Sequence, residues 1–166
     1  MTLWKGGAFA VDEFVTVGES DDLPDGPVLV PLKRFLAEHD ALLARNEPVG
    51  VLLQPAEKLD DIAADLPRLP LLALAFPKFA DGRAFSLARL ARERHGFAGE
   101  LRAVGDILFD RIAYMTRCGF DALDITNEPT LQALREGRVP VSHELYQPTG
   151  RDRGTPDPTK PWRRRA

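Results

Sequence analysis

Five short, largely apolar runs set the main constraint on what this chain can fold into. They span residues 28–32, 49–53, 71–76, 101–104 and 122–125. Apolar runs of this length are typical of β-strands that are covered on both faces. The segments between them place apolar residues at helical spacing, as in Leu87, Leu90 and Ala91. This alternation predicts an α/β fold with a parallel sheet and crossover helices.

The number of runs limits the architecture. Five β-α units predict an open parallel sheet of about five strands, or a half β/α barrel, since a closed barrel of this kind needs eight units. A half-barrel could pair with a second copy of the chain, or with another protein. In either form a ligand is expected at the carboxyl edge of the strands, where the loops and helix N-termini gather.

Composition divides the chain into a body and a tail. Of the 166 residues, 44% are hydrophobic, which is enough to build one buried core, so residues 1–148 are expected to form a single α/β domain. Residues 149–166 hold six basic and two acidic side chains and few apolar ones, so they are expected to be a disordered basic tail. The body has an excess of acidic residues, which disfavours binding to nucleic acid.

The sequence carries no membrane or secretion signal. Its longest apolar run, residues 69–76, is interrupted by Pro70 and is far shorter than the roughly 20 residues of a membrane-spanning helix. The N-terminus lacks the basic start and sustained apolar stretch of a signal peptide. We therefore expect no membrane contact and a cytoplasmic location.

The loop after the third run is longer than the corresponding loops elsewhere. It concentrates Lys78, Asp81 and Arg83 at the carboxyl end of a predicted strand. Lys78 and Arg83 could bind a small anion, and the Arg83 guanidinium could donate two parallel hydrogen bonds to one oxyanion. Asp81 is a candidate acid/base or helix-capping residue. The structural alternative is a turn at Asp81 and Gly82 in which Arg83 pairs with Asp81.

The fourth run contains an arginine, which is costly in a covered strand unless it is paired. Arg102 therefore needs an acidic or anionic partner, and we treat it as a third anion-binding candidate. Asp106, just after this run, could be that partner, a general base, a cofactor ligand or the N-cap of the next helix. Asp124, within the fifth run, could also meet Arg102 in a structural ion pair. The topology predicts that Lys78, Arg83, Arg102 and Asp106 share one basin.

Other chemical signatures are sparse. Cys118 is the only cysteine, so this chain alone can form no intramolecular disulfide and no four-cysteine cluster, and we interpret it as a packed, inert residue. The three histidines, His39, His95 and His143, lack metal-ligand spacing, so no metal is predicted. The chain has no GxGxxG, GxxxxGK[ST], GxSxG or CxxC motif, and its cofactor is left unassigned.

Several long blocks resemble one bacterial family of proteins of unknown function. They are FPKFADGRAFSLARL at residues 76–90, GELRAVGD at 99–106 and RCGFD at 117–121. The resemblance extends over roughly residues 1–148. Members are commonly labelled probable oxidoreductases involved in sulfite reduction, and their genes tend to lie beside those of assimilatory sulfite reductase. The resemblance therefore implies a role in sulfur assimilation and cysteine biosynthesis, with no established catalytic residue to transfer.

Three functions remain open from the sequence. The resemblance favours an accessory protein of sulfite reduction that contacts sulfite reductase or handles its anionic substrate or tetrapyrrole cofactor. The second is a small enzyme that binds a sulfur oxyanion or a phosphate-bearing substrate at the strand edge. The third is a structural subunit. Whether the chain is itself an enzyme stays open, because it carries neither a cofactor fingerprint nor a redox-active pair of cysteines.

Overall fold

A computed structural model describes residues 2–77 and 82–138, which contain eight β-strands and five α-helices. The strands are β1 (Thr2–Lys5), β2 (Ala8–Ala10), β3 (Val15–Thr16), β4 (Val28–Pro31), β5 (Val49–Leu53), β6 (Leu71–Phe76), β7 (Glu100–Gly105) and β8 (Ala122–Ile125). The helices are α1 (Leu32–Ala37), α2 (His39–Leu43), α3 (Arg83–Glu93), α4 (Ile112–Cys118) and α5 (Glu128–Arg135). The predicted basic tail, residues 149–166, lies outside the described residues.

The strands form one sheet in the order β2-β1-β8-β7-β6-β5-β4-β3. Strands β3 to β8 are parallel to their neighbours, whereas β1 is antiparallel to both β8 and β2. The predicted α/β fold with a mostly parallel sheet is confirmed, and the five predicted strands are β4 to β8. The predicted number of strands is wrong, because β1, β2 and β3 are too short and too exposed to show an apolar run.

The parallel strands follow each other in chain order, and this determines where the helices lie. Because parallel crossovers are almost always right-handed, successive steps in one direction place every crossover on the same face of the sheet. Side chains alternate between the two faces of a strand. Val30, Val51 and Leu72 pack with the helices in the main core on the outer face. Leu29 and Leu71 pack in a second, smaller cluster on the opposite face, which we call the inner face.

The two edge strands of this sheet are separated by only four residues of chain. Strand β2 ends at Ala10 and β3 begins at Val15, yet they lie at opposite ends of the strand order. Laid flat, eight strands would measure about 34 Å from first to last. Five residue steps span at most about 18 Å. The sheet must therefore curl, which confirms the half-barrel form of the prediction. Residues 11–14, which join its two edges, are called the closing segment below.

The crossovers differ in regularity. Between β5 and β6 the spacing of Leu59, Ile62 and Leu66 predicts a helix. The structure instead has two 3-10 turns there, Leu59–Ile62 and Leu66–Arg68. Pro67 lacks the backbone N–H that a continuing α-helix would need.

No helix in residues 2–77 or 82–138 is long and apolar enough to cross a membrane.

Candidate functional site

The predicted site residues are divided between two places. Arg83 is the first residue of α3 and is exposed beyond the carboxyl end of β6. Asp106 directly follows β7 at the same edge and is also exposed. Lys78 and Asp81 lie outside the described residues. Arg102 projects from the inner face of β7 and bonds to Glu100 and Asp12. That Arg102 shares one basin with Lys78, Arg83 and Asp106 stays a prediction.

At the carboxyl edge, Asp106 is held by an asparagine that sequence reasoning missed. The Asn127 side-chain amide donates to Asp106 Oδ1 at 3.1 Å. The Asn127 Oδ1 atom caps α5, accepting from the backbone N–H of Thr130 at 3.1 Å. An available signal was the pattern of an asparagine followed closely by Pro129, which is typical of a helix start. The pair presents an exposed carboxylate that an amide orients.

Asp106 does not act as a helix N-cap, contrary to one sequence expectation. Its backbone N–H donates to the Phe76 carbonyl oxygen at 3.1 Å, which extends the pairing of β6 with β7. The 3-10 turn that follows, Phe109–Arg111, begins after Leu108. The intervening residues place Asp106 too far from this turn to cap it, so its carboxylate is available to Asn127.

Gly105 is required by the close approach of β6 and β7 at this edge. Its φ is +126°, and a Cβ added there would lie 2.5 Å from the Phe76 carbonyl oxygen. We expect Gly105→Ala to lower the free energy of unfolding by about 3 kcal/mol, because backbone atoms must move to relieve the contact. The control is Gly82→Ala, at negative φ with open space around the added Cβ, for which we expect about 1 kcal/mol or less. Urea unfolding of both variants gives the comparison, and equal losses would contradict it.

On the inner face, Arg102 is only 2% exposed and its charge is paired. Its Nε atom donates to Glu100 at 2.8 Å, and its Nη1 atom donates to Asp12 in the closing segment at 2.7 Å. The Phe14 ring centroid lies 5.7 Å from the guanidinium carbon. Lys5 bonds to the other oxygen of Glu100 at 2.6 Å. The expectation that Arg102 needs an acidic partner is confirmed, and Asp12 and Glu100 fill that role.

Asp124 lies on the same face of the neighbouring strand and is 5% exposed. Its Oδ1 atom has no hydrogen-bond partner among the residues that the structure describes. Burial raises the pKa of the Asp124 carboxyl and the charge of Asp12 adds to this, whereas the charges of the amino terminus and of Arg102 oppose it. The expected bond between Asp124 and Arg102 is not among the Arg102 contacts, and their interaction is electrostatic. The inner face thus carries a buried carboxyl that holds its proton to a higher pH than an ordinary aspartate does.

This raised pKa has a measurable consequence for stability. Because the folded pKa exceeds the ordinary value of 3.8, the chain loses stability as the pH rises from 3.8 through the folded pKa. We expect Asp124→Asn to remove this loss and to raise the free energy of unfolding near pH 7 by about 1 kcal/mol. Urea unfolding across this pH range measures both effects. Asp61→Asn, at an exposed carboxylate, is the control, and an identical pH slope for wild type and Asp124→Asn would contradict the assignment.

Two shallow grooves lie near β1, away from the predicted edge. Their volumes are about 340 and 430 Å³, and both are bordered by Lys5 and Asp121. Lys5 is bonded to Glu100, and Asp121 accepts a hydrogen bond from Arg92. The two charged side chains that border both grooves are therefore already bonded within the fold.

Comparison with known proteins places the chain in a family. Residues 50–156 match the profile of a bacterial family described as proteins of unknown function, DUF934, and this match covers well over half of the chain. The chain belongs to the DUF934 family. The DUF934 region contains Arg102, Asp106, Asp124 and Asn127, whereas Asp12 lies before it. No curated protein and no solved structure is significantly similar to the chain.

Cys118 in this DUF934 protein is a buried residue at the end of α4. Burial raises the pKa of the Cys118 thiol, although a hydrogen bond with Tyr114 and the charges of Arg89 and Arg117 work in the opposite direction. A thiol with a raised pKa is a poor nucleophile, because the thiolate is the reactive form. The geometry agrees with the interpretation of Cys118 as a packing residue.

The described histidines pair with carboxylates rather than with each other. His39 contacts Asp40 at 2.9 Å and Asp65 at 3.1 Å, and these hydrogen bonds raise the pKa of His39. His95 lies 3.4 Å from Asp60. Over residues 2–77 and 82–138, no group of three or more His, Cys, Asp or Glu side chains is placed to hold a metal ion. His143 lies outside the described residues.

Proposed function

We propose that this DUF934 protein is an accessory protein of assimilatory sulfite reduction that acts together with sulfite reductase. The proposal rests on the resemblance carried by residues 76–121 and on membership of the family. The observation that favours an accessory role over a catalytic one is the state of Arg102. Its guanidinium is buried against Asp12 and Glu100. Its charge is met by these two carboxylates on the inner face, not by a group at the carboxyl edge where a catalytic site was expected.

The buried thiol supports the same interpretation. Reduction of sulfite to sulfide needs several electrons, and a protein that carried them through its own cysteines would need reactive thiolates or a cluster. This chain has one cysteine, Cys118, which is buried and whose pKa is raised. A role beside an enzyme that carries the redox centres is consistent with this chemistry.

An exposed apolar patch offers a surface for such a contact. Phe9, Val11 and Val15 are 39%, 87% and 50% exposed, and they lie on β2, the closing segment and β3. Exposed apolar side chains that are grouped mark protein contact surfaces more often than isolated ones do, and these three lie close together in the chain. They lie on and between the two edge strands of the sheet, and edge strands are common sites of pairing with another chain.

The test combines growth with capture of a defined partner. In the bacterium that encodes this protein, we expect deletion of the gene to create a requirement for cysteine during growth on sulfate. The wild-type chain should restore growth and should co-purify with sulfite reductase. Val11→Asp should weaken both effects, whereas Leu36→Asp, at an exposed apolar residue of α1, should not. Unimpaired growth of the deletion strain, with unchanged sulfite reductase activity, would refute the proposal.

A second candidate is a small enzyme that binds a sulfur oxyanion or a phosphate-bearing substrate at the carboxyl edge. The observation that favours it is the exposed Asp106 carboxylate, which Asn127 orients for proton transfer. Thermal unfolding with sulfite, sulfate or phosphate tests it, since a ligand at 100 times its Kd adds about 2.7 kcal/mol. Stabilisation that Arg83→Gln abolishes would support this candidate, and the absence of any stabilisation would exclude it.

A further inference from the structure

We propose that the inner face of the curled sheet is a binding site for a small oxyanion, which bonds to Arg102 in place of the Asp12 carboxylate. The closing segment then acts as a gate that moves when the anion enters. This inference does not depend on the partnership with sulfite reductase. It starts from the difference between the two carboxylates that hold Arg102.

Glu100 is the fixed partner of Arg102. It lies two residues earlier on the same strand, and its other oxygen is bonded to Lys5 at 2.6 Å. Residues 100–105 pair with β6 along their whole length, so Glu100 stays beside Arg102 as long as β7 is formed. A ligand cannot displace it without disrupting the sheet.

Asp12 is the exchangeable partner. It comes from a four-residue segment outside any helix or strand, and its neighbour Val11 is 87% exposed. The Asp12 side chain keeps 31% of its surface exposed, against 2% for Arg102. The segment contacts the inner face through the bond of Asp12 to Arg102 and the packing of Phe14 on the small inner cluster. Movement of these few residues would open a path to a buried guanidinium.

Asp124 supplies an independent second observation. This side chain is 95% buried, and its Oδ1 atom is left without a hydrogen bond by the described residues, although buried polar atoms are nearly always bonded. It projects from the strand next to Arg102, on the same face. In its neutral form, which its burial favours, the carboxyl can donate a hydrogen bond to an anion. Arg102 therefore offers an anion the forked N–H donors of a charged guanidinium, and the neutral Asp124 carboxyl offers an O–H donor.

The charges that remain determine the class of ligand. With Asp12 withdrawn, the charged groups that the described residues place on this face are Arg102 and Lys5, which are positive, Glu100, which is negative, and Asp124, which is neutral when protonated. The net charge is then positive, and the guanidinium matches the spacing of two oxygens on one oxyanion. Even a closed barrel of eight strands has room inside only for side chains or one small ligand, so the inner face of this curled sheet favours an anion of the size of sulfate or phosphate. Binding should weaken as the pH rises and Asp124 ionises.

The test compares Asp12→Asn with Glu13→Gln, which removes the same charge from the neighbouring residue. We expect Asp12→Asn to bind sulfate and phosphate about tenfold more tightly than wild type in isothermal titration at constant ionic strength, and Glu13→Gln to bind as wild type does. Equal affinities of the two variants would overturn the proposal and leave Asp12 as a structural ion-pair partner only.

A second measurement uses the otherwise unaltered chain, in case Asp12→Asn fails to fold. A spin label attached through Val11→Cys, with Cys118 buried, reports the motion of the closing segment. We expect sulfate to increase the label mobility in a saturable manner, and more strongly at pH 5 than at pH 8 because protonation of Asp124 assists binding. A label whose spectrum is unchanged by sulfate and phosphate at both pH values would overturn the proposal.

Discussion

Replacing Arg102 by methionine is expected to lower the free energy of unfolding by about 3–5 kcal/mol. The guanidinium is 2% exposed and separates the carboxylates of Asp12 and Glu100, with the buried Asp124 on the next strand. Without the cation these carboxyls face each other in a site with little water. The loss should shrink at lower pH, because protonation of the Asp124 carboxyl, whose pKa is raised by burial, relieves part of the repulsion. Urea unfolding at pH 5 and pH 7 measures both effects.

The matched control is Arg135→Met, which removes an arginine from an exposed pair with Glu128. We expect a loss below about 1 kcal/mol there, since water screens such pairs. Combining Asp12→Asn with Arg102→Met should recover part of the stability that Arg102→Met loses, because one of the uncompensated charges is gone. A loss for Arg102→Met that is as small as that of the control would show that the buried charge cluster does not support the fold.

Replacing Arg92 by methionine is also expected to lower the free energy of unfolding, by about 3 kcal/mol. The Arg92 side chain, 7% exposed, reaches from α3 to both segments that precede the neighbouring strands β7 and β8. It donates to the Gly99 carbonyl oxygen at 2.8 Å, to the Gly119 carbonyl oxygen at 3.1 Å and to the Asp121 carboxylate. Removing it takes a donor from each of these acceptors, of which the Gly119 carbonyl is buried, and loosens the entry to both strands.

A neighbouring arginine on the same helix provides the control for Arg92. Arg89 is about half exposed and pairs with Glu93 at 3.3 Å, so Arg89→Met should cost less than about 0.5 kcal/mol. The urea midpoints of the two variants measure the difference, provided that the free energy of unfolding depends on urea concentration with the same slope in both. Comparable losses would mean that the strand entries are held by their own backbone bonds rather than by Arg92.

The parallel part of the sheet could be predicted because each of its long strands is covered on both faces. Residues 71–76 illustrate this, since all six are buried and form an uninterrupted apolar run. The hairpin of β1 and β2 leaves no such trace, because β2 has only three residues, all of them exposed, and Phe9 is its one large apolar side chain. Strand β3 has two residues, too few for any periodicity. Strands that are stabilised by long-range pairing alone carry little local signal.

The candidate site could likewise be predicted only in part. The need of Arg102 for a carboxylate follows from the cost of a buried charge, and it could be stated from the sequence. The identity of Asp12 could not, because the two residues are 90 positions apart and meet only when the sheet curls. The Asn127 contact depends on the adjacency of the ends of β7 and β8, which the sequence order suggests but does not resolve to single atoms. The anion-binding roles of Lys78, Arg83 and Arg102 stay predictions, as does the role of Asp81.

The pairing of the first strand with the last has a consequence for biosynthesis. Thr2 lies opposite Ile125 and Lys5 opposite Ala122, so the edge of β1 that faces away from β2 has no partner until β8 has left the ribosome. Contacts this distant in the chain form slowly, because a long loop must close first. Until translation reaches β8, the amino-terminal hairpin and its apolar side chains are left in solvent. A trigger factor or another nascent-chain chaperone that shields residues 2–16 should therefore increase the yield of folded protein more than one that acts after release.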